Sequence, residues 1–372
     1  MMEPGKEIGI GMIGSQFVAR AHAESLHRFV RGAALRAVAS PTPGHAARLA
    51  GEFGIPQAFT DYRRLLERDD IDAVIIGIPN DLHEKVVVEA ASAGKHVIVE
   101  KPLCVTLAEA DRMLAACAAA GRQLFYAEEL VFAPKYVRLK QLVNEGAVGE
   151  LFLVKQLEKH SGPHAGWFWQ VERAGGGVLL DMGCHGIEFA RWLYDKRPVR
   201  SVSAFCSTVR HADRTRAEDE AMLVLEFKGG GRALIEDSWA FFGGMDDRAE
   251  LCGTEGSVFC DLVQGNAMKT WSNPGYGYAM EKAGSTRGYS FTVFEEAWNY
   301  GFPQELQHFV DCLRAGNPAQ ETGADGREVL RIIYAAYESA ARGRAIDLDA
   351  FQPAPEVRPI EPWLRRQSGA TA

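Results

Sequence analysis

Over the first 125 residues, short apolar runs alternate with segments of helical spacing, the pattern of a parallel α/β sheet. Ile8–Ile13, Leu35–Ala39, Ala73–Ile78, His96–Val99 and Gln123–Tyr126 read as strands. Phe17–Phe29 and Leu82–Ser92 read as helices between them. A further helix over Thr106–Ala120 opens on Thr106 with Glu109 at the capping-box position, and Gly121 stops it. After residue 130 strand-like runs follow one another: Leu151–Leu157, Val199–Val209, Ala221–Phe227 and Arg232–Ala240. Such a succession predicts a mostly antiparallel sheet in a second domain. One helix falls near Val178–Tyr194, and two close the chain at Gln304–Ala315 and Gly326–Arg342. The last of these aligns Val329, Ile332, Ile333, Ala336, Tyr337 and Ala340 in one stripe. Gly275–Tyr289 reads as a long flexible loop, and the Pro- and Arg-rich tail from Gln352 as a surface or fraying segment. The expectation is an α/β plus α+β chain: a Rossmann dinucleotide-binding domain over 1–127, then an open-sheet domain over 128–372. The second would bind substrate and oligomerise, with its C-terminal helices free to pack back on the first.

Composition narrows the class. The chain has 372 residues, 47% hydrophobic and 24% charged, a globular composition long enough for two domains. Lys plus Arg is 41 and Asp plus Glu 49, so the net charge is 41 − 49 = −8, with no basic stripe for a phosphate backbone. Nucleic acid is not an expected partner. No apolar run has membrane-spanning length, and the first residues lack the features of a secretory signal. The seven cysteines are scattered and nowhere spaced CxxC, which argues against disulfides and a thiolate zinc site. A reduced, cytoplasmic enzyme is expected.

A literal GxGxxG occurs at Gly9, Gly11 and Gly14, but that register buries the glycines in the first strand. The workable register is Gly14-Ser15-Gln16-Phe17-Val18-Ala19, where Gly14 makes the turn and free N–H groups open the helix toward a pyrophosphate. Gln16 stands where a second glycine is usual. At the end of the second strand Ser40 is neutral, and no arginine follows at 41–44 to grip a 2′-phosphate. NAD is therefore expected, with NADP the remaining option.

Three stretches carry a family resemblance. They are Gly94-Lys95-His96-Val97-Ile98-Val99-Glu100-Lys101-Pro102 with Ile78-Pro79-Asn80-Asp81-Leu82-His83 upstream, Gly175 through His185, and Glu305-Leu306-Gln307-His308-Phe309. In this order they resemble the glucose–fructose oxidoreductase and inositol dehydrogenase (Gfo/Idh/MocA) family over nearly the whole chain. The resemblance implies hydride transfer between a nicotinamide and a hydroxyl-bearing carbon of a sugar, cyclitol or glycoside. It implies that Lys101, Asp181 and His185 are catalytic, that Ile78, Pro79, Asn80 and His83 flank the nicotinamide ribose, and that Glu100 and Glu129 lie near the ring. Val131 replaces a frequent arginine. Family members form dimers or tetramers through the C-terminal sheet, which points to the Val199–Ala240 strands.

The chemistry agrees. His185 has a pKa suited to a general base, Asp181 would share its helix face four residues earlier, and Lys101 follows a buried strand where its ammonium can stabilise an alkoxide. His160, His164, Trp167 and Trp169 are the expected substrate contacts, hydroxyl partners and flat faces for a sugar. Trp239-Ala240-Phe241-Phe242 reads as sheet packing. A cation held by His160, His164, Asp181, His185 and Glu129 is disfavoured by Gly162 and Pro163, so no metal is expected. Two other functions stay open: a redox-assisted glycosidase that regenerates NAD, and a non-catalytic nucleotide-binding regulator, which an intact trio argues against.

Overall fold

The computed structural model describes residues 7–263, 268–292 and 296–369. In chain order the first part runs β1 (Ile8–Ile13), α1 (Phe17–Arg28), β2 (Ala33–Ala39), α2 (His45–Phe53), β3 (Gln57–Phe59), α3 (Tyr62–Leu66), β4 (Ala73–Ile76), α4 (His83–Ser92), β5 (His96–Glu100), α5 (Leu107–Ala119) and β6 (Leu124–Ala127). Next come α6 (Pro134–Asn144), β7 (Leu151–Lys159), α7 (Val171–Ala174), α8 (Val178–Asp181), α9 (Gly183–Leu193), β8 (Val199–Ser207), β9 (Glu220–Phe227), β10 (Arg232–Ser238), β11 (Asp246–Gly253) and β12 (Ser257–Asp261). The chain ends with β13 (Met268–Ser272), β14 (Gly288–Thr292), α10 (Glu296–Tyr300), α11 (Phe302–Ala315), α12 (Gly323–Arg342), β15 (Ile346–Asp347) and α13 (Glu361–Gln367).

These elements form two compact units, Met1–Phe132 with Gly301–Glu328, and Ala133–Tyr300 with Val329–Ala372. In the first, six parallel strands stand in the order β3-β2-β1-β4-β5-β6. The order reverses between β1 and β4, the place where a doubly wound sheet binds ligands at its strands' carboxyl ends. The inner strands are apolar on both faces, and Ile8, Ile10, Met12 and Ala73 through Ile76 are fully enclosed. The capping box of α5 is present: Thr106 accepts from Glu109 N, and Glu109 Oε2 accepts from Thr106 N. Phe309 of α11 packs on Phe125 and Phe132 of the same unit.

The second unit is built on a seven-stranded sheet, β12-β11-β7-β10-β9-β8-β15, antiparallel except where β10 runs parallel to β7. One face is buried and the other exposed, so the strands alternate. Three expectations change here. The Val178–Tyr194 helix is interrupted at Met182, where His185 N bonds Met182 O in a tightened turn. The Gly275–Tyr289 segment is a loop as far as Arg287, but it joins two paired strands, and Gly288 and Tyr289 already belong to β14. The tail folds: Ile360 and Trp363 are buried, and Tyr334 Oη donates to Val357 O at 2.6 Å. Proline at the start of α13 and the two apolar anchors outweigh the tail's polar composition.

Candidate active site

On the first unit the candidate residues gather at the carboxyl ends of β1, β2, β4 and β5. β1 ends at Ile13, so the turn begins at Gly14, whose φ of 124° and whose missing Cβ, which would fall 2.1 Å from Gly77 O, both require glycine. Ser15 Oγ donates to Ser40 Oγ at 2.8 Å, tying the first turn to the end of β2. Gln16 caps α1 with extended backbone and no side-chain cap, and its amide pairs with the His45 ring at 2.8 Å. Phe17 is 43% exposed, while Val18 packs toward Gly77. The Gln16 side chain thus does not cap the first turn of α1, as suits a pyrophosphate site there.

After β4, Ile78 and Pro79 lead into a short turn that opens on the buried Asn80. His83 is wholly enclosed, with its ring nitrogens 2.9 Å from Ile78 O and 3.1 Å from Leu103 O. Burial lowers its pKa although both carbonyls favour the protonated ring; the neutral ring donates its one N–H to one of the two loops and packs against the other. This corrects the expectation of a ribose contact: His83 acts on the cofactor loop from behind. At the end of β5, Glu100 Oε1 lies 2.6 Å from His22 Nε2, and Glu100 Oε2 accepts the Lys101 N–H at 3.2 Å. Glu129, with Glu128, Glu100 and Glu321, faces the enclosed Glu305, and burial drives that carboxyl well above the usual range. The rest of the α11 motif is structural: Gln307 Oε1 accepts from Arg31 N, and His308 Nε2 accepts from Gln320 N.

On the second unit Asp181 ends α8 and His185 lies in the first turn of α9, 8% and 3% exposed. Because the helix breaks between them, their expected stacking on one continuous face is replaced by a corner. Asp181 Oδ2 accepts the Trp239 indole N–H at 3.2 Å. Trp239 is enclosed, as sheet packing requires, and its indole also orients the carboxylate. α8 is nailed down at its start. Gly177 N donates to Tyr337 Oη at 3.1 Å, Tyr337 Oη to Glu218 Oε1 at 2.7 Å, and Leu179 N to Glu218 Oε1 at 3.0 Å. A Cβ on Gly177 would fall 2.0 Å from Glu218 O, so the glycine run lets this anchor close.

Trp169 leans on the Trp239 ring at 5.3 Å and on His211 at 4.8 Å, with the Arg214 guanidinium 4.5 Å from its centroid. It also borders a cavity of about 620 Å³ lined by Glu172, Thr208, Arg216 and Trp363 among others. Trp167 stacks on Phe168 at 3.7 Å. His160 is buried, and its Nδ1 accepts from Gly162 N at 3.0 Å. Burial, helped by the Lys282 ammonium, pushes its pKa down to about 3, so it stays neutral with its proton on Nε2. His164 bonds Glu281 instead, at 2.5 Å, and Lys282 Nζ donates to Gly162 O at 2.6 Å. Glu281 and Lys282, from the segment after β13, were not among the sequence candidates; no periodicity links them to the 160–169 stretch.

Residues 8–128 match the family described as an oxidoreductase family with an NAD-binding Rossmann fold, and residues 136–259 match the GFO/IDH/MocA C-terminal domain. The chain belongs to the Gfo/Idh/MocA family and is an NAD-dependent oxidoreductase. Among its relatives, myo-inositol 2-dehydrogenase of Thermotoga maritima is 29% identical over 91% of this chain and 98% of its own. The NAD-dependent scyllo-inositol 2-dehydrogenase of Bacillus subtilis is 30% identical over 92% of this chain and 95% of its own. The crystal structure of GenD2 from gentamicin A biosynthesis, in complex with NAD, superimposes with a TM-score of 0.86 at 30% identity, covering 93% of this chain and 97% of that one.

Proposed function

We propose that this enzyme transfers hydride between NAD and a ring hydroxyl of a cyclitol, sugar or glycoside, with His185 as general base. His185 takes the hydroxyl proton, Asp181 orients and charge-stabilises the imidazole, and Lys101 offers its ammonium to the oxygen as alkoxide character develops. NAD supplies the hydride acceptor; Gly14 through Val18, with Ser40, Ile78, Pro79, Asn80, Glu100 and Glu129, are the residues that would hold it. The observation that carries this reading is the corner at Met182, which puts Asp181 at the end of one helix and His185 in the first turn of the next, the first of them held by Trp239 and Glu218. The relatives named for inositol 2-dehydrogenation make cyclitols the first substrates to try. The cavity beside Trp169 adds glycosides to the screen.

The preference is for NAD over NADP, since Pro41 through Gly44 offer no guanidinium to a 2′-phosphate. The assembly is a homodimer or homotetramer formed through the exposed face of the seven-stranded sheet. The compartment is the cytoplasm: the seven cysteines are thiols, and among the described residues no helix is long and apolar enough to cross a membrane.

Single-turnover nicotinamide absorbance on the substrate found by that screen tests the roles. His185→Ala should slow hydride transfer by roughly 10²–10⁴-fold with NAD affinity retained. Asp181→Asn should slow it less, and Lys101→Met should slow it by loss of the cation. A near wild-type rate in His185→Ala beside a dead Lys101→Met would make lysine the base instead.

A further inference from the structure

One rung of the second sheet carries three carboxylates in a row. Asp237 of β10 pairs in register with Glu158 of β7, and Glu158 pairs with Asp247 of β11. Partners in a rung project from the same face, and here it is the buried one: Asp237 and Asp247 are fully enclosed and Glu158 nearly so. Asp247 Oδ1 accepts from Tyr136 Oη at 2.8 Å. Neither oxygen of Asp237 has a hydrogen-bond partner. Its Oδ2 lies against the first residue of α9, 3.2 Å from where a Cβ on Gly183 would stand.

The groups facing Asp237 do not neutralise it. On its own face they are Asp181 from α8, Glu158 from β7, Asp247 from β11 and Cys206 from β8 with Glu218 beyond it; Lys159 of β7 and Glu236 of its own strand act across the sheet from the other face. α9 adds Gly183 at the contact, followed by Cys184 and His185. Lys159 is committed to Glu236. An unpartnered carboxylate in such a place takes up a proton rather than bear the cost of ionisation. Burial pushes Asp237 well above the usual carboxylate range, and Asp247 to about 7. Along β10 the inward positions run Ile235, Asp237 and then Trp239, whose indole holds Asp181. Asp237 therefore sits one step below the residue that aims the Asp181 carboxylate.

We propose that Asp237 is a positioning residue for the hydride-transfer site: kept protonated beneath the start of α9, it leaves Asp181 to carry the negative charge that serves His185. When Asp237 gives up its proton at alkaline pH, a second anion faces Asp181 across the same corner and the site loses its geometry. This rests on Asp181 and His185 acting on the substrate as described above.

Two readouts test it on the full-length protein. Infrared difference spectra of Asp237→Asn against wild type, near neutral pH, should show the loss of one protonated-carboxyl stretch. In the same variant kcat/KM should stay within about threefold of wild type at neutral pH. Its alkaline limb should move up by about one pH unit or more, since Asn cannot ionise. Should Asp237→Asn fail to fold, Asp247→Asn reads the same coupling with opposite sign. Removing an anion that faces Asp237 lets it ionise sooner, so the alkaline limb should move down. No lost carboxyl stretch, or pH profiles of Asp237→Asn or Asp247→Asn that superimpose on wild type, would overturn the proposal. A lost stretch with an unchanged rate in His185→Ala would instead retain the protonated acid and sink the reading of the active site on which its role depends.

Discussion

An indole N–H 3.2 Å from Asp181 Oδ2 restrains where that carboxylate points. Trp239→Phe keeps the buried ring and deletes only the donor, so kcat should fall by about 10- to 150-fold, the roughly 1.5–3 kcal/mol of a hydrogen bond to a charged group. NAD affinity, measured by fluorescence titration, should not change; a parallel loss of both would mean general damage to the fold. At Gln16 the expectation is the reverse. Its side chain is engaged with His45 on the exposed surface, so Gln16→Gly should leave NAD affinity unchanged or improved. A large loss would show that the glutamine itself holds the cofactor. Asp181, His185 and Lys101 could be picked from the sequence because residue type, spacing and family order coincide there. Trp239 could not, because its meeting with a residue 58 positions earlier depends on strand register, which no local pattern encodes.

At the scale of elements, α8 is held by a carboxyl that must stay neutral to be comfortable. Glu218 is buried, and its pKa is raised to about 7 by burial, despite bonds from Tyr337 Oη and Leu179 N that favour the charged form. A raised carboxyl gives stability that is full below its unfolded value of about 4.3 and is lost as pH rises through the folded value. Melting midpoints of wild type and Glu218→Gln should therefore agree near pH 4. Above pH 7 the variant should melt higher. A constant offset at all pH values would assign the difference to packing. Regular elements were legible here, the α5 capping box most clearly, because Thr106 and Glu109 state both halves of the motif locally. The break at Met182 was not, since Val178–Tyr194 is apolar enough for one unbroken helix, while Glu218 anchors the start of α8 and Trp239 its end through partners distant in sequence. β11 and β12 were missed for a related reason: Asp246, Asp247 and Arg248 look like loop until the acidic rung shows them paired.

On the scale of the molecule, the outer face of the seven-stranded sheet exposes Phe152, Phe205, Met222, Val224, Leu234 and Phe259. Phe205 and Phe259 stand 71% and 74% exposed, more than packing within one chain accounts for. Phe205 sits opposite Met222, and Val224 opposite Leu234, so the patch is continuous over the β8–β10 strands. Phe205→Glu with Phe259→Glu should reduce the mass found by light scattering to that of one chain while leaving NAD binding intact. An oligomer that survives both changes would locate its interface elsewhere. The two-domain, Rossmann-first plan was readable from the alternation of runs alone. That C-terminal helices pack back on the first unit was open to the sequence; which residues do so was not, because α11 and α12 look alike as amphipathic helices while the division falls inside α12, with 301–328 in one unit and 329–372 in the other. That interleaving has a consequence during synthesis. A ribosome that has reached residue 300 has made most of both units and completed neither: the first still waits for Phe309 to cover Phe125, and the second for Trp363. Unlike a chain of consecutive domains, which folds in order as it emerges, this one holds two unfinished cores at once until Glu328 has been made. A chain stopped between the first strands of the second unit and Glu328 is therefore a chain with apolar surface in two places.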